Sequence, residues 1–367
     1  MEFARRDARL QNSQPMKLEK TKGSKERLHI VYVMTWTGIC GGSKIILQHC
    51  NQLVDAGHRI SIVCYFPRPG WFSLNAAVTF IHVPRSKILC EHIPECDVIV
   101  ATYWKEIYEC IEQRIAPVIY FEQGDTHLFD PESMGANLLK HIRKQISLAP
   151  FVYTVSTFAA EKLKENYNVK AHIIPNAVDK TIFYPASSAK KAAGKIVITT
   201  IGSEHIAFKC VFNVVVAVTL LKKLGHDVEF VWISPDTPSK LTTVPVKINP
   251  SQKEIGDYLR SSHIYVCASL YESFCLPVLE AMTCGVAVVT TDNGGIRDFV
   301  RDKVNALVAD KNNIADMVEK LTILIDDVNL RENLSAEGMK SAQAFDWSQT
   351  VDSLVSYYQD IARYQIQ

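Results

Sequence analysis

The sequence predicts an α/β protein built from two doubly wound, parallel-sheet domains in tandem. Three observations carry this reading. Short apolar runs of strand type alternate with amphipathic helical segments, the pattern of a parallel sheet covered on both faces. The alternation pauses over residues 180–195, a looser stretch with Pro185, two serines and several alanines and lysines, and then begins again. At 367 residues the chain is long enough for two separate hydrophobic cores.

In order along the chain, residues 1–27 are polar and basic without an apolar centre, and are read as a disordered tail. Leu28-His-Ile-Val-Tyr-Val-Met34 is a buried-strand pattern, followed by a turn rich in small residues, Thr37-Gly-Ile-Cys-Gly-Gly42. A helical segment follows over 43–56, with Ile45, Ile46, Leu47, Cys50 and Leu53 on its apolar side and Gly57 ending it. Further strands are expected at 59–66, 78–83, 97–102, 117–122 and 151–156. Helices are expected between them at 105–113, 133–148 and 158–167. The first domain is expected to span 28–179. In the second, 180–346, strands are expected at 195–201, 228–233, 263–268, 286–290 and 306–308. Its helices are placed at 210–223, 252–261, 276–283, 314–326 and 330–344. A last amphipathic helix runs over 347–364. Open parallel sheets bind ligands at the carboxyl ends of their strands, so two facing domains of this kind form a cleft.

Composition excludes several classes. A hydrophobic content of 47% with 22% charged residues is that of an ordinary globular protein, and a net charge of +1 gives no footing for nucleic acid. No apolar run approaches the ~20 residues that span a bilayer, and the N-terminal residues lack the apolar segment of a secretory signal. The ten cysteines are scattered, without a Cys-x-x-Cys pair, and no histidine spacing matches a zinc site. They are read as buried free thiols of a reducing cytoplasm.

The most informative stretch is Tyr271-Glu-Ser-Phe-Cys-Leu-Pro-Val-Leu-Glu-Ala-Met-Thr-Cys-Gly285. Glu272 follows a strand, and Glu280 falls where the next helix begins, with Pro277 in the first turn, where its missing N–H costs nothing. The loop between them offers backbone N–H groups at the positive end of a helix dipole, a ready anion site. One carboxylate before that site and one behind it suit a ligand with hydroxyls on both sides of a phosphate. The bare spacing is also met by two surface glutamates. Other strand ends carry comparable loops. Gly41 and Gly42 open a helix after the first strand, without the Gly-x-Gly-x-x-Gly spacing of a dinucleotide fold. Gly202, Ser203 and Lys209 lie between a strand and a helix, as does Thr291-Asp-Asn-Gly-Gly-Ile-Arg-Asp298. In the first half, Tyr120-Phe-Glu-Gln-Gly-Asp-Thr-His127 ends a strand. The segment Leu138-Leu-Lys-His-Ile-Arg-Lys-Gln-Ile146 has a basic face beside apolar residues, which suits either a solvated helix or a membrane-surface contact.

With its Leu-Pro, Glu-Ala-Met, Cys-Gly and Gly-Gly elements, this pattern resembles the donor-site signature of retaining GT-B glycosyltransferases of family 4, the glycosyl transferases group 1. The resemblance covers nearly the whole chain from residue 28 and is strongest over 196–308. It implies the GT-B fold, two Rossmann-like domains facing across a cleft, with the 347–367 segment packing back on the first. It implies transfer of a sugar from a nucleotide-diphosphate sugar, UDP-linked or else GDP-linked, to a glycan, lipid-linked or small-molecule acceptor. Neither a metal nor a further cofactor is implied, and no Asp-x-Asp motif is present. By the resemblance, Glu280 holds the ribose, Glu272 the donor sugar, and Lys209 with the N–H groups of Phe274, Cys275 and Leu276 the diphosphate. Base contacts are expected over 234–250. Ser203 stands where an arginine is usual, for which Arg297 is a candidate substitute. Asp298 stands for a longer acid, and Gln123 stands for a histidine whose role His127 or Asp125 would take. These departures keep a second reading in view: a catalytically silent GT-B subunit that binds a glycan or a partner transferase. Either protein would work in the cytoplasm, including the inner face of the membrane.

Overall fold

A computed structural model describes residues 8–23, 25–186, 195–239 and 244–367. Half of the looser 180–195 stretch and part of the 234–250 loop, where base contacts are expected, lie outside the described residues. The chain divides into two compact units: Met1–Pro175 together with Trp347–Gln367, and Asn176–Asp346.

After a helical stretch over 8–12, unit one has a short strand, β1 (Leu18–Lys20), and continues with β2 (His29–Met34), helix α1 (Gly41–Asp55), β3 (Arg59–Cys64), β4 (Thr79–His82), β5 (Val98–Ala101) and α2 (Ile107–Glu112). β6 (Val118–Glu122), α3 (Thr126–Phe129), α4 (Ala136–Leu148), β7 (Phe151–Thr154), α5 (Thr157–Tyr167) and β8 (His172–Ile173) complete its first segment. Seven strands form one sheet in the order β4-β3-β2-β5-β6-β7-β8, each pair parallel. All but the first residue of β2 is buried, which is why this strand reads as an unbroken apolar run and not as an alternating one. The core joins Val31, Val33, Ile99 and Val118 of the sheet to Ile142, Ile146 and Leu163 of the helices. The apolar residues of α4 are thus turned inward, while Lys140 and Arg143 face out and Lys144 Nζ donates to the Ser13 carbonyl (3.1 Å). α3 was not expected from the sequence; it is one turn, started by the Asp125 carboxylate accepting from Thr126 N (2.7 Å).

One acid is buried under the carboxyl end of β2. The Thr35 hydroxyl donates to Glu106 Oε1, and Glu106 Oε2 has no hydrogen-bond partner. Burial pushes this carboxyl up to about 8, with the Thr35 bond opposing.

Unit two contains β9 (Ile196–Ile201), α6 (Val211–Lys223), β10 (Val228–Ser234), β11 (Val246–Ile248), α7 (Gln252–Ser261), β12 (Ile264–Cys267) and α8 (Leu276–Thr283). It ends with β13 (Ala287–Thr291), β14 (Leu307–Ala309), α9 (Ile314–Asp326) and α10 (Val328–Ala342). Its six strands run in the order β11-β10-β9-β12-β13-β14, again all parallel. β11, an edge strand with two of its three residues exposed, lacks the apolar run by which the others were found. The core gathers Ile198, Val266, Val289, Leu321 and Leu334.

The chain then returns to unit one as α11 (Trp347–Ile361) and β15 (Tyr364–Ile366). Tyr358 of α11 is fully buried, its hydroxyl 2.9 Å from that of Tyr32 and 2.8 Å from that of Tyr153. Tyr358→Phe leaves two buried hydroxyls without this partner and is expected to lower stability by about 1–3 kcal/mol in urea unfolding. β15 pairs antiparallel with β1 through Leu18↔Ile366, Glu19↔Gln365 and Lys20↔Tyr364. The expected disordered tail over 1–27 is corrected only for its described part, 8–23 and 25–27: Leu10 is wholly buried in the core of unit one, and residues 18–20 are a strand because their partner lies at the other end of the sequence.

Candidate functional site

In unit two the sheet reverses direction of growth between β9 and β12, the place where an open α/β sheet receives ligands. Backbone pairing of the two strands ends at Tyr265↔Thr199, and the segments that leave them carry the two residues expected to face the donor. Lys209 Nζ donates to Glu272 Oε1 (2.6 Å), and the Ser269 hydroxyl donates to the same oxygen (2.7 Å). The pair is mostly covered, with 22% of the lysine side chain and 12% of the glutamate side chain exposed. Burial alone would lower the lysine; the Glu272 carboxylate outweighs it and holds the ammonium well above its ordinary range. Both loops are fixed. Leu270 N donates to Phe208 O (2.8 Å), the Phe208 and Tyr271 rings stack at 4.5 Å, and Glu272 N donates to Asn293 O (2.9 Å).

The next four residues turn into α8. Cys275, the residue before the helix, has φ +60°, and Pro277 lies in the first turn as expected. Gly295 backs this turn. A Cβ there would lie 2.6 Å from Phe274 N and 2.7 Å from Glu272 O, so only glycine lets the β13 loop approach this closely. Phe274 is buried, its ring 5.6 Å from those of Phe299 and Phe345, which anchors the turn from below. Glu280 lies in the second turn of α8 and is 6% exposed, so it is a buried acid and not a surface one. The Cys267 and Cys275 sulfurs are 3.7 Å apart. That hydrogen bond pulls Cys267 down and pushes Cys275 up.

Around this centre the expected companions are placed differently. Gly202 is packed against α6, where a Cβ would lie 2.8 Å from a Val211 methyl, and its carbonyl accepts from Trp232 Nε1 (2.8 Å). Ser203 is buried and donates to the Asp236 carboxylate at 2.7 and 2.9 Å; where a cation is usual, the chain has a hydroxyl on an acid. Arg297 makes a two-pronged ion pair with Asp292, Nε to Oδ1 and NH2 to Oδ2, both at 2.9 Å, with both side chains about half exposed. That bond holds Asp292 below the usual carboxylate range.

The remaining candidates belong to unit one. Gly41 and Gly42 are the first residues of α1, whose start is capped by Cys40 Sγ accepting from Ser43 N. Gln123 lies over this start, its Nε2 3.5 Å from where a Gly42 Cβ would be. His127 is 1% exposed rather than open to solvent. Its Nε2 is 2.8 Å from Glu122 Oε2, which also accepts from the Tyr120 hydroxyl (2.6 Å), while Glu122 Oε1 accepts from Gly124 N (2.7 Å). Burial disfavours the charged ring, and the Glu122 carboxylate overcomes it and raises His127. The imidazole braces the 122–127 loop. Ser269, Asn293 and Asp236 were missed in the sequence reading. Each acts across tens of residues or through a short side chain that no local pattern marks.

Residues 242–341 match the family model of glycosyl transferases group 1. The match includes Glu272, Glu280, the Gly294-Gly295 turn and Arg297; Lys209 and Ser203 precede it. An uncharacterized glycosyltransferase of Methanocaldococcus jannaschii is 26% identical over 221 residues, 58% of this chain and 60% of that one. The match thus spans about three fifths of that relative's length. Sucrose-phosphate synthase from Thermosynechococcus elongatus superposes with a TM-score of 0.77 at 16% identity, over 90% of this chain and 98% of that one. Anabaena HepE, solved in complex with UDP and glucose, superposes with 0.74 at 13% identity, over 90% and 99%. At such identities the likeness establishes the fold, and the two doubly wound units are a GT-B architecture.

Proposed function

We propose that the chain is a glycosyltransferase that moves a sugar from a nucleotide-diphosphate sugar to a hydroxyl of a glycan, lipid-linked or small-molecule acceptor. The reaction retains the anomeric configuration, needs no metal and takes place in the cytoplasm. The observation that carries this reading is the Lys209–Glu272 pair at the switch point of unit two, beside the turn into α8. Lys209 and the N–H groups of Phe274, Cys275 and Leu276 receive the diphosphate, whose charge grows as the bond to the sugar breaks. Glu272 orients the sugar hydroxyls and Glu280 holds the ribose. No protein nucleophile is required, because stabilising the departing diphosphate lowers the barrier directly. A UDP-sugar is favoured as donor, since HepE is solved with UDP and glucose, and GDP-sugars are the alternative.

Ser203 on Asp236 and Gln123 over Gly42 favour a second reading, a GT-B subunit that binds its ligand without turnover. Thermal shifts with UDP-glucose and GDP-mannose separate the two when run beside a transfer and hydrolysis assay. A nucleotide sugar at a hundred times its dissociation constant stabilises by about 2.7 kcal/mol. Glu280→Ala should remove most of that shift, and an undiminished shift in this variant overturns the ribose assignment. Binding without transfer or hydrolysis supports the silent subunit.

A further inference from the structure

Two thiols lie beside Glu272. Cys267 ends β12 and Cys275 precedes α8, both less than a tenth exposed, with sulfurs 3.7 Å apart. A disulfide brings sulfurs to about 2.05 Å. Two thiolates on one tetrahedral zinc, each about 2.3 Å from the ion, stand about 3.75 Å apart. The same spacing serves the thiol–thiol hydrogen bond of the free protein, so no movement of either cysteine is needed to admit an ion. A third donor is at hand: one oxygen of Glu272 and the two sulfurs all lie within 4.8 Å of one another.

Asn293 supplies the fourth side. It is fully buried, with Nδ2 3.8 Å from Cys267 Sγ and 3.6 Å from Cys275 Sγ, and its Oδ1 has no hydrogen-bond partner. A half-turn of the amide points this unpaired oxygen at the space between the sulfurs. Two sulfurs, a carboxylate and an amide oxygen suit a thiophilic divalent ion and disfavour Mg²⁺, which needs six oxygens. The other close thiol pair, Cys90 and Cys110 at 3.5 Å, has no such third donor among the described residues.

We propose that Cys267, Cys275, Glu272 and the Asn293 amide oxygen bind one thiophilic divalent cation, Zn²⁺ or Cd²⁺, and that the ion draws Glu272 away from Lys209. The ion displaces the two thiol protons, so one M²⁺ enters and two H⁺ leave, with no change of oxidation state. Metal and ammonium then compete for a single carboxylate. Inhibition of transfer by the ion rests on the glycosyltransferase reading; binding of the ion does not.

The test is equilibrium dialysis of the reduced full-length chain against Cd²⁺ and Zn²⁺, without nucleotide sugar, with ultraviolet absorbance of the cadmium–thiolate bond and proton release recorded together. One equivalent of ion and about two protons are expected. Cys275→Ser should weaken binding at least ~10-fold, in line with the effect of losing a metal-site partner, and Cys90→Ser should not. Stoichiometric binding that survives Cys275→Ser, or no stoichiometric binding at all, overturns the proposal. Zinc-edge X-ray absorption of the wild-type chain decides the matter if Cys275→Ser does not fold: two sulfur and two lighter ligands support the site, and any other sulfur count refutes it. A chain that binds the ion but, when freed of it by a chelator, transfers no sugar overturns the reading of function alone.

Discussion

Lys209→Met is expected to lower glycosyl transfer by about 10²–10³-fold, mainly in kcat, while leaving a folded protein. Methionine keeps the length of the stem over the Phe208 ring and removes the one charge that Glu272 holds in place. An ammonium already oriented before the donor arrives need not be reorganised as charge develops on the diphosphate, which is why its loss falls on the chemical step. With Ser203 paired to Asp236 and Arg297 paired to Asp292, neither is expected to replace it. The variant also leaves the Glu272 carboxylate, mostly covered, with the Ser269 hydroxyl as its bond. A loss of roughly 1–3 kcal/mol in urea unfolding should accompany the kinetic defect. Glu272→Gln, which retains an acceptor for Ser269, completes a double-mutant cycle. Coupling near zero in that cycle, or transfer within a few-fold of wild type, would show that the pair is not poised for the donor.

Glu106→Gln is expected to stabilise the protein increasingly as pH rises, with a gain of roughly 2–4 kcal/mol over the wild type by pH 9 relative to pH 5. In the unfolded chain this carboxyl ionises near its ordinary 4.5, and in the folded chain only at about 8. The folded state therefore holds a proton that the unfolded state has already released. Stability from this group is complete below about 4.5 and is lost as pH climbs through 8. The amide has no proton to lose, and its oxygen can still accept from Thr35. Its NH₂ group replaces an oxygen that has no partner, so a pH-independent cost of about 1–3 kcal/mol is expected on top. The diagnostic is therefore the change of the difference with pH, measured by thermal melts between pH 5 and 9. Parallel curves for the two proteins would refute the buried neutral acid.

Most of the parallel strands were legible because each is a short apolar run between polar helices, as β2 and β12 illustrate. What escaped were elements defined by distant partners. β1 exists because β15 lies beside it, and β11 because β10 supplies an edge; neither has an apolar pattern of its own. The site shows the same division. Glu272, Glu280 and the glycine turn stand in one contiguous motif and could be read there. Lys209 is 63 positions from Glu272, so its presence could be read but not its bond. His127 looked like a loop histidine because nothing local discloses that Glu122 and the fold cover it. Ser203 was read as a missing arginine, while the acid that engages it sits on the loop after another strand.

The discontinuity of unit one has a bearing on how the protein is made. Unit two is one uninterrupted stretch, whereas unit one requires Trp347–Gln367, including Tyr358 between Tyr32 and Tyr153. Synthesis delivers Met1–Pro175 well before Trp347–Gln367, so unit two has all its residues before unit one does. Until Trp347–Gln367 follows, Tyr32 and Tyr153 lack the Tyr358 hydroxyl that bridges them.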